Sequence, residues 1–275
     1  MIHKLKRQLL AGPYLLWIIG FTILPLVMIL LYAFKDSTGA YTLNNLTAIA
    51  QPIHLKALGM SLKLALLATV ICLFLAYPLA LILHNLQLKY KDFIVFLFIL
   101  PMWMNFMLRI LAWQLILSNN GIFNHILQFL HLPTQRLLYT QTAVVFGMVY
   151  DFLPFMILPI YNAVSRISPD VIDAARDLGA NAITILRKIT LPLSLSGVIS
   201  GIIMVFVPSL TSFVVSNLLG GGKVLLIGNV IEQEFMQSMD WNLGSGLSII
   251  LMIFVLCSMA LTNKLDKNGE GAMIW

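Results

Sequence analysis

Charged side chains are scarce in this chain. Asp, Glu, Lys and Arg make up 10% of its 275 residues, whereas soluble domains carry roughly 25%. Hydrophobic residues make up 60%, with a mean hydropathy of +0.92. This balance excludes an ordinary soluble enzyme or binding domain and indicates an integral membrane protein. Cysteine is nearly absent as well. Cys72 and Cys257 each lie within an apolar run, which predicts two buried hydrophobic side chains without a disulfide or metal site.

Six apolar stretches approach or exceed the roughly 20 residues that a spanning helix needs. They predict an all-α membrane protein in which residues 1–275 form one transmembrane domain with six spans, at about 13–34, 60–83, 93–117, 142–161, 196–219 and 245–262. The first stretch is too long for the hydrophobic part of a signal peptide and lacks a cleavage site before Lys35. It is therefore predicted to remain as a span.

The basic residues are distributed asymmetrically about these stretches. The net charge is +6, but Lys and Arg flank the apolar segments instead of forming one patch. The charge therefore indicates membrane topology and not nucleic-acid binding. Most basic residues fall on the side of both termini and of the loop at 162–195, among them Lys4, Lys6, Arg7 and Lys89. By the positive-inside rule, both termini and this loop are predicted to be cytoplasmic.

The loop at 162–195 is polar and well capped for so hydrophobic a chain. Ser168 can accept hydrogen bonds from the first free N–H groups of a helix, and Gly179 suits the left-handed residue that ends one. Asn181 can cap a second helix, and Pro192 marks the turn toward the fifth span. Two short helices are therefore predicted, which suits the docking of a soluble partner.

The surface of the first of these helices fits close contact with another protein. Ala174 and Ala175 are small and permit close backbone approach. Asp173 and Asp177 are one turn apart and share a face, whereas Arg176 is expected to point elsewhere. The alternative is a solvated amphipathic connector that lies on the membrane surface.

The pattern Asp173-Ala174-Ala175, three residues, Gly179, nine residues, Ile189-x-Leu191-Pro192 resembles the "EAA" loop of permease subunits of bacterial ATP-binding cassette (ABC) importers. Spacing and defined residues match that Glu-Ala-Ala pattern except that Asp173 replaces Glu, which keeps the carboxylate but shortens its reach. In the family this loop forms a coupling helix that sits in a cleft of the ATP-hydrolysing subunit. The resemblance implies that this contact is made by Asp173, Ala174, Ala175, Asp177, Gly179, Ile189, Leu191 and Pro192.

Two further segments, 100–109 and 218–231, are similar to the B subunit of spermidine/putrescine permeases within this family. The resemblance implies a type I importer (MetI-like) architecture in the bacterial inner membrane and import of polyamines. The partners it implies are an ABC ATPase dimer, a second homologous permease, an extracytoplasmic substrate-binding protein and membrane lipid. ATP and Mg would be bound by the ATPase, so this chain itself would hold no cofactor and would not be an enzyme.

The run from Gly220 to Lys223 does not fit a phosphate-binding Walker A loop. Asn217 stands where the first glycine of that motif is needed, and Val224 stands where Ser or Thr is needed. The run lies on the predicted outer side of the membrane. A tight turn or a re-entrant segment after the fifth span is expected there.

Ionisable side chains at membrane depth are costly and usually functional, and Asp151 and Arg109 are the two candidates. A flexible polycation would be held by carboxylates and aromatic faces, so Asp151, Trp103 and Tyr150 are predicted to line its path, with Asn105 nearby. Arg109 would repel a polycation and is expected to order a polar network or cap carbonyl groups. The alternative for Asp151 is a structural ion pair with Arg109 or with a partner subunit.

Related permeases often carry an acid in the fifth span, near the neutral Ser212 or Asn217 of this chain. These two complete the candidate path, and their neutrality keeps open the same role for another solute, such as an iron chelate, an amino acid or a phosphonate. Two other classes are a stand-alone carrier or channel and a membrane enzyme with a divalent ion on Asp173 and Asp177. The enzyme reading lacks the further carboxylates that such a site needs, so no metal site is predicted.

Overall fold

The computed structural model describes residues 12–85 and 91–270. In this part of the chain the regular structure is helical, with one isolated antiparallel bridge between Lys35 and Tyr41, so the predicted all-α class is confirmed. The basic residues Lys4, Lys6, Arg7 and Lys89 lie outside the described residues. The main helices, α1 to α12 in chain order, are Gly12–Ala33, Pro52–Asn85, Lys91–Ile99, Phe106–Leu117, Ile122–Phe129, Gln141–Ser165, Pro169–Asp177, Ala182–Leu193, Leu195–Thr211, Val214–Gly220, Ile227–Met236 and Trp241–Glu270.

Four of the described helices are long and apolar enough to cross a membrane. They are α1, most of α2, α6 and the first two-thirds of α12, and they coincide with four of the predicted stretches. The pair α8 and α9 counts as a fifth if it is taken as one span with a bend of 64°. Nearly every side chain of α1 is exposed, as expected for a helix that faces lipid.

The predicted third and fifth spans are not continuous helices. The stretch 93–117 is divided into α3 and α4 by a 3-10 turn at Leu100–Trp103. Pro101 within that turn has no N–H, so it cannot donate an intrahelical hydrogen bond at this position. The stretch 196–219 is divided into α9 and α10 at Ser212, whose backbone is extended. Hydropathy detects the apolar length of a segment but not such breaks.

The chain forms two compact units in the described residues. One takes the chain up to Lys56 together with Val230–Val255, and the other takes Ala57–Asn229 together with the chain from Leu256. In the first unit, the Nδ2 of Asn45 donates to the carbonyls of Ala33 and Lys35, at 3.1 and 2.7 Å. These bonds hold the turn that follows α1.

The core of the second unit is built on α6, which packs against α9, α10 and α4. The contact with α9 is close because Gly197 and Gly201, one turn apart, face α6. A Cβ at Gly197 would lie 2.5 Å from the Pro159 carbonyl oxygen, and one at Gly201 would lie 2.6 Å from the Met156 sulfur. Small residues at this spacing let two membrane helices approach backbone to backbone.

The two cysteines have different environments. Cys72 is fully buried in the core of the second unit, as predicted. Cys257 is exposed, so the prediction that both would be buried is wrong. In a membrane protein an apolar side chain loses nothing by facing lipid, and hydrophobicity alone therefore does not report burial.

Candidate functional site

The first helix of the 162–195 loop, α7, is fixed at both ends by the residues that the sequence singled out. The Ser168 hydroxyl accepts a hydrogen bond from the Asp170 N–H at 3.3 Å. At the other end, Gly179 has a φ of +79°. Its N–H donates to Arg176 O at 2.8 Å, and the Ala180 N–H donates to Ala175 O at 3.0 Å. This pair of bonds is a Schellman motif, so the predicted glycine stop is confirmed.

The second helix, α8, begins as predicted, because the Asn181 side chain accepts from the Thr184 N–H at 2.8 Å. Its course then differs from the prediction. A π-helical segment occupies Leu186–Thr190, ahead of Pro192, whose missing N–H removes one α-helical hydrogen bond from this part of the helix. The sharp bend toward α9 occurs at Ser194. The predicted turn therefore lies after Pro192, not at it.

The outer surface of this loop combines acids, small residues and apolar residues. Leu178 is 89% exposed and Ile183 is 66% exposed, although neither is charged. Leu178 follows the last residue of α7 and Ile183 lies in the first turn of α8, so both apolar side chains are in the middle of the polar loop. Of the eight residues predicted to contact the ATPase, Ala175 and Ile189 are half-buried and the remaining six are exposed, namely Asp173, Ala174, Asp177, Gly179, Leu191 and Pro192.

Arg176 does not point away from the acidic face of α7. Its Nη1 donates to Asp173 Oδ1 at 2.9 Å, and both side chains are about two-thirds exposed, at 65% and 64%. The prediction that it points elsewhere is wrong, because three residues along a helix also bring two side chains together. An exposed pair of this kind contributes little stability, about 0.2–1 kcal/mol, so Arg176 holds the Asp173 carboxylate only weakly.

The inner side of the loop rests on the ends of α2 and α6. A cavity of about 320 Å³ lies between them and is lined by Leu81, Val164, Ile172, Ile185 and Thr190, among others. Ile185 and Thr190 are buried. Because Arg176 also lines this cavity, the loop faces the two helix ends across a space that is partly polar.

Arg109 and Asp151 form a buried ion pair at membrane depth. Arg109 Nη2 lies 3.2 Å from Asp151 Oδ1, and their side chains are 7% and 0% exposed. Arg109 Nη1 also donates to Pro101 O at 2.9 Å, which confirms the predicted carbonyl cap. Beyond the ion contact, neither Asp151 oxygen has a hydrogen-bond partner among the described residues, and Arg109 Nε has none either. The pair thus ties α6 to the break between α3 and α4.

The aromatic candidates do not gather around Asp151. Trp103 is 78% exposed and its ring packs edge-on against Phe96. Tyr150 is half-buried, and its ring centroid lies 5.2 Å from that of Trp113. Asn105 caps α4, since its side chain accepts from the Leu108 N–H at 3.2 Å. The structure therefore brings Asp151 together with Arg109, while Trp103 and Asn105 lie at the helix break.

Asn229, which the sequence did not single out, organises the break between α9 and α10. It is 2% exposed, and its Nδ2 donates to Phe213 O at 3.1 Å and to Asn217 Oδ1 at 2.7 Å. Its own Oδ1 accepts from the Leu226 N–H at 3.0 Å. Asn217 is thus part of a polar tether, and Ser212 forms the extended end of α9. The sequence feature that could have identified Asn229 is its position as the single amide in the otherwise apolar run Val224–Ile231.

The Gly220–Lys223 run is a tight turn, as predicted. Gly221 and Gly222 have φ values of +56° and +74°, which only glycine adopts readily. A Cβ on Gly221 would lie 2.2 Å from the Tyr139 ring. The turn leads directly into α11.

Residues 76–268 match the family described as the binding-protein-dependent transport system inner membrane component. The chain belongs to this family. It is thus the permease component of an ABC importer, and its apolar helices fit a multi-pass membrane protein. The matched residues include α6, the whole 162–195 loop and α9, so the loop and the core helices belong to the family's shared part.

Similar proteins align with most of this permease. It is 38% identical to the spermidine/putrescine transport system permease protein PotB of Haemophilus influenzae, over 96% of both chains. It is also 38% identical to PotB of Escherichia coli over 86% of this chain and 89% of that protein. The inner membrane ABC transporter permease protein YdcU of Escherichia coli is 28% identical over 94% of this chain and 88% of its own length.

The solved structures that match show the fold of this permease. A chain of a bacterial ABC transporter involved in the import of the acidic polysaccharide alginate superimposes with a TM-score of 0.77, at 18% identity. The match covers 97% of this chain and 98% of that chain. At this identity it supports the predicted importer-permease architecture and carries no argument about the substrate.

Proposed function

We propose that this permease conducts polyamines such as spermidine and putrescine across the bacterial inner membrane. The observation that carries the proposal is the 38% identity over 96% of both chains to a spermidine/putrescine permease. An extracytoplasmic binding protein would deliver the substrate. A second, homologous permease would form the other half of the channel, and an ABC ATPase dimer would bind ATP and Mg and hydrolyse the ATP. This chain would perform no covalent chemistry.

The orientation we propose has six crossings and both termini in the cytoplasm. The broken pairs α3–α4 and α9–α10 then count as the third and fifth crossings, beside the four long helices. Helix α6 has 25 residues and spans about 37 Å at 1.5 Å per residue. It therefore separates the 162–195 loop from the segment before Gln141 by about one membrane thickness.

The loop is suited to transmit movement because it is short, capped and continuous with the core. A closing ATPase dimer would displace α7 and α8, and the bend at Ser194 joins α8 to α9. Helix α9 is locked against α6 through Gly197 and Gly201. A displacement of the loop would thus reach Asp151 on α6 as a movement of packed helices, without any flexible linker.

The substrate path that we propose follows α6 and the two helix breaks. Trp103, Asn105 and Tyr150 would offer an aromatic and polar lining, with Ser212 and Asn217 at the second break. Asp151 would contribute its carboxylate only if an outward or inward opening draws it from Arg109, because here it is 1% exposed. The second permease would supply further negative charge.

Another solute is the second candidate. The carboxylate of Asp151 is already paired with Arg109. The proposed fifth crossing is neutral at Ser212 and Asn217. This favours a cargo that is not a polycation, such as an iron chelate, an amino acid or a phosphonate. Competition for uptake distinguishes the two candidates, since unlabelled solutes of each class can be added to cells that import labelled spermidine or putrescine.

The assignment is tested first by co-purification of the tagged full-length chain from gently solubilised native membranes. We expect a second permease and an ATPase with Walker motifs to be recovered. The Gly179→Asp variant should lose the ATPase, because it adds a charged side chain to the predicted contact. Within this chain a Cβ at Gly179 meets no atom within 4 Å. Loss of the ATPase would therefore reflect a disturbed contact with the partner and not a clash inside this chain.

Gly39→Asp is the matched control for this experiment. Gly39 also has a positive φ, +86°, and open space around its Cβ position, so the two variants carry similar backbone strain. We expect Gly39→Asp to retain the ATPase. Recovery of the chain alone, or equal retention of the ATPase in both variants, would overturn coupling through this loop.

A further inference from the structure

A basic pocket lies at the end of α6 opposite the 162–195 loop. Its volume is about 430 Å³. It is formed by the turn after α4, the non-helical segment before α6 and the glycine turn after α10. The lining residues are Ser118, Asn119, Asn120, Arg136, Leu138, Tyr139 and Lys223. Two of them are cations, two are amides and none is an acid.

The pocket is held together by a buried amide. Asn124, on α5, is 1% exposed. Its Nδ2 donates to Ser118 O at 3.2 Å and to Gln135 O at 3.0 Å, and its Oδ1 accepts from the Gln135 N–H at 2.9 Å. These bonds fix the two walls of the pocket against each other. They bring Asn119 and Asn120 beside Arg136.

The third wall of the pocket is the glycine turn after α10, and Tyr139, which contacts it, has an unusual backbone conformation. Tyr139 has a φ of +63°, a conformation that side chains other than glycine rarely adopt. Its N–H donates to Leu219 O at 2.8 Å, and its ring fills the space that only a glycine at 221 leaves open. Lys223 Nζ then lies 5.9 Å from the centre of the Tyr139 ring. Strain of this kind persists where the surrounding structure imposes it, and it often marks a functional site.

The chemistry of the pocket selects an anion. Neither Arg136 nor Lys223 forms an ion pair with the described residues, and both are exposed. A guanidinium beside an ammonium, with two amide donors, matches carboxylate oxygens. The same charges repel a polyamine, so this pocket is not proposed as part of the substrate path.

We propose that this pocket receives carboxylate side chains of the extracytoplasmic binding protein. The inference rests on the proposed function, because the pocket faces outward only if the loop at the other end of α6 faces the ATPase. The exposed cations are accessible to a macromolecule, and Asp and Glu side chains are the anions that a protein surface supplies. Complementary charges at such a rim guide the approach of the partner and fix its register.

The test uses the whole transporter, reconstituted in nanodiscs of phosphatidylcholine, with its ATPase and second permease. Substrate-loaded binding protein from the same organism is titrated while ATP hydrolysis is measured. We expect the half-saturating concentration to rise about threefold in Arg136→Gln and in Lys223→Gln, and about tenfold in the double variant. Added salt should weaken the wild type more than the double variant.

Lys56→Gln serves as the matched control, because Lys56 is an exposed lysine outside the pocket that the proposed orientation places on the same side. We expect it to stay within about twofold of the wild type, as rim charges distant from a contact have small effects. Basal ATPase activity and melting temperature, unchanged in every variant, would show that the assembly is intact. If Lys56→Gln raised the half-saturating concentration as much as the double variant does, the effect would not be specific to the pocket and the proposal would be contradicted.

The outcomes separate the two proposals. If the wild-type assembly contains no ATPase, the proposed function fails. If the wild type is stimulated by the binding protein and the double variant responds identically, only the carboxylate pocket is refuted. A second set of nanodiscs contains phosphatidylglycerol. An effect of the variants confined to that set would assign the pocket to a lipid headgroup and overturn the proposal.

Discussion

Arg109 and Asp151 show how a buried charge is tolerated at membrane depth. Each would cost several kcal/mol alone in a low-dielectric medium. Together they lie 3.2 Å apart, and Arg109 also donates to the Pro101 carbonyl. That carbonyl lies at the break between α3 and α4 and also accepts from the Met104 N–H at 3.2 Å. The pair therefore compensates the two charges and anchors the break, while the Asp151 oxygens and Arg109 Nε lack hydrogen bonds among the described residues.

Breaking this pair by changing one partner should be far more harmful than replacing both. Asp151→Asn and Arg109→Met each leave the other charge buried and unpaired, at an expected cost of about 3–5 kcal/mol. The double variant Arg109→Met with Asp151→Leu should cost clearly less than the sum of the two. Melting temperatures of the purified assembly measure this coupling, and strict additivity would contradict it.

Uptake by the same Asp151→Asn variant decides whether this carboxylate contacts the substrate. A substrate contact predicts a weaker apparent affinity in the variant molecules that fold and insert. A purely structural ion pair predicts fewer transporters in the membrane, with the apparent affinity unchanged. Uptake normalised to the amount of assembled transporter distinguishes the two, and an unchanged affinity and rate would remove Asp151 from the path.

At the scale of elements, the contact between α6 and α9 is the main packing contact of the second unit. Lipid is as apolar as the side chains, so helix association depends on close packing. Gly197 and Gly201 provide it, and Gly197 also lies where a Cβ would be 2.5 Å from the Ala163 Cβ. A neighbouring backbone carbonyl at Pro159 cannot move aside as a flexible side chain can. The site is therefore intolerant of even one added methyl group.

Gly197→Ala should destabilise the assembly, whereas Gly59→Ala should not. Overpacking against a fixed backbone costs about 1–3 kcal/mol. Gly59 lies within α2 with nothing inside 4 Å of its Cβ position, so alanine there should gain up to about 1 kcal/mol of helix propensity. Thermal unfolding of both variants in the same detergent is the measurement. Equal melting temperatures would refute close packing at this contact.

The helix breaks illustrate what a sequence reveals about elements and what it does not. The caps at Ser168 and Asn181 and the stop at Gly179 were predictable, because each depends on hydrogen bonds to residues nearby in the chain. Pro101 showed that a break was possible in the third apolar stretch. The division of the fifth stretch at Ser212 depends on Asn229, which lies 17 positions further along the chain and donates to Phe213 O at 3.1 Å. No local pattern reports that partner.

At the scale of the whole molecule, the proposed function requires that the two ends of α6 face opposite sides of the membrane. The segment before Gln141 should be extracytoplasmic, and the loop after Ser165 should be cytoplasmic. Both ends carry exposed polar residues, as a membrane-spanning helix needs where it meets water. The basic residues of the loop agree with the cytoplasmic assignment.

Single cysteines introduced at these ends test the orientation in intact cells. In a Cys257→Ala background, Cys72 remains but is fully buried. Asn120→Cys should react with a membrane-impermeant maleimide added outside. Leu178→Cys, at a position that is 89% exposed, should react only after the inner membrane is permeabilised. The reverse pattern would invert the proposed topology and remove the loop from the ATPase.

The sequence by itself determined the membrane class, the all-helical fold, the capped loop and its family, since these depend on composition, apolar length and contacts between near neighbours. Tertiary structure alone decided that Arg109 meets Asp151, that Cys257 is exposed, that Asn229 ties the second break and that Arg136 and Lys223 share one pocket. These depend on which helix faces which. In a chain where lipid and protein neighbours are equally apolar, the hydrophobic pattern that orients helices in soluble proteins carries little of that information.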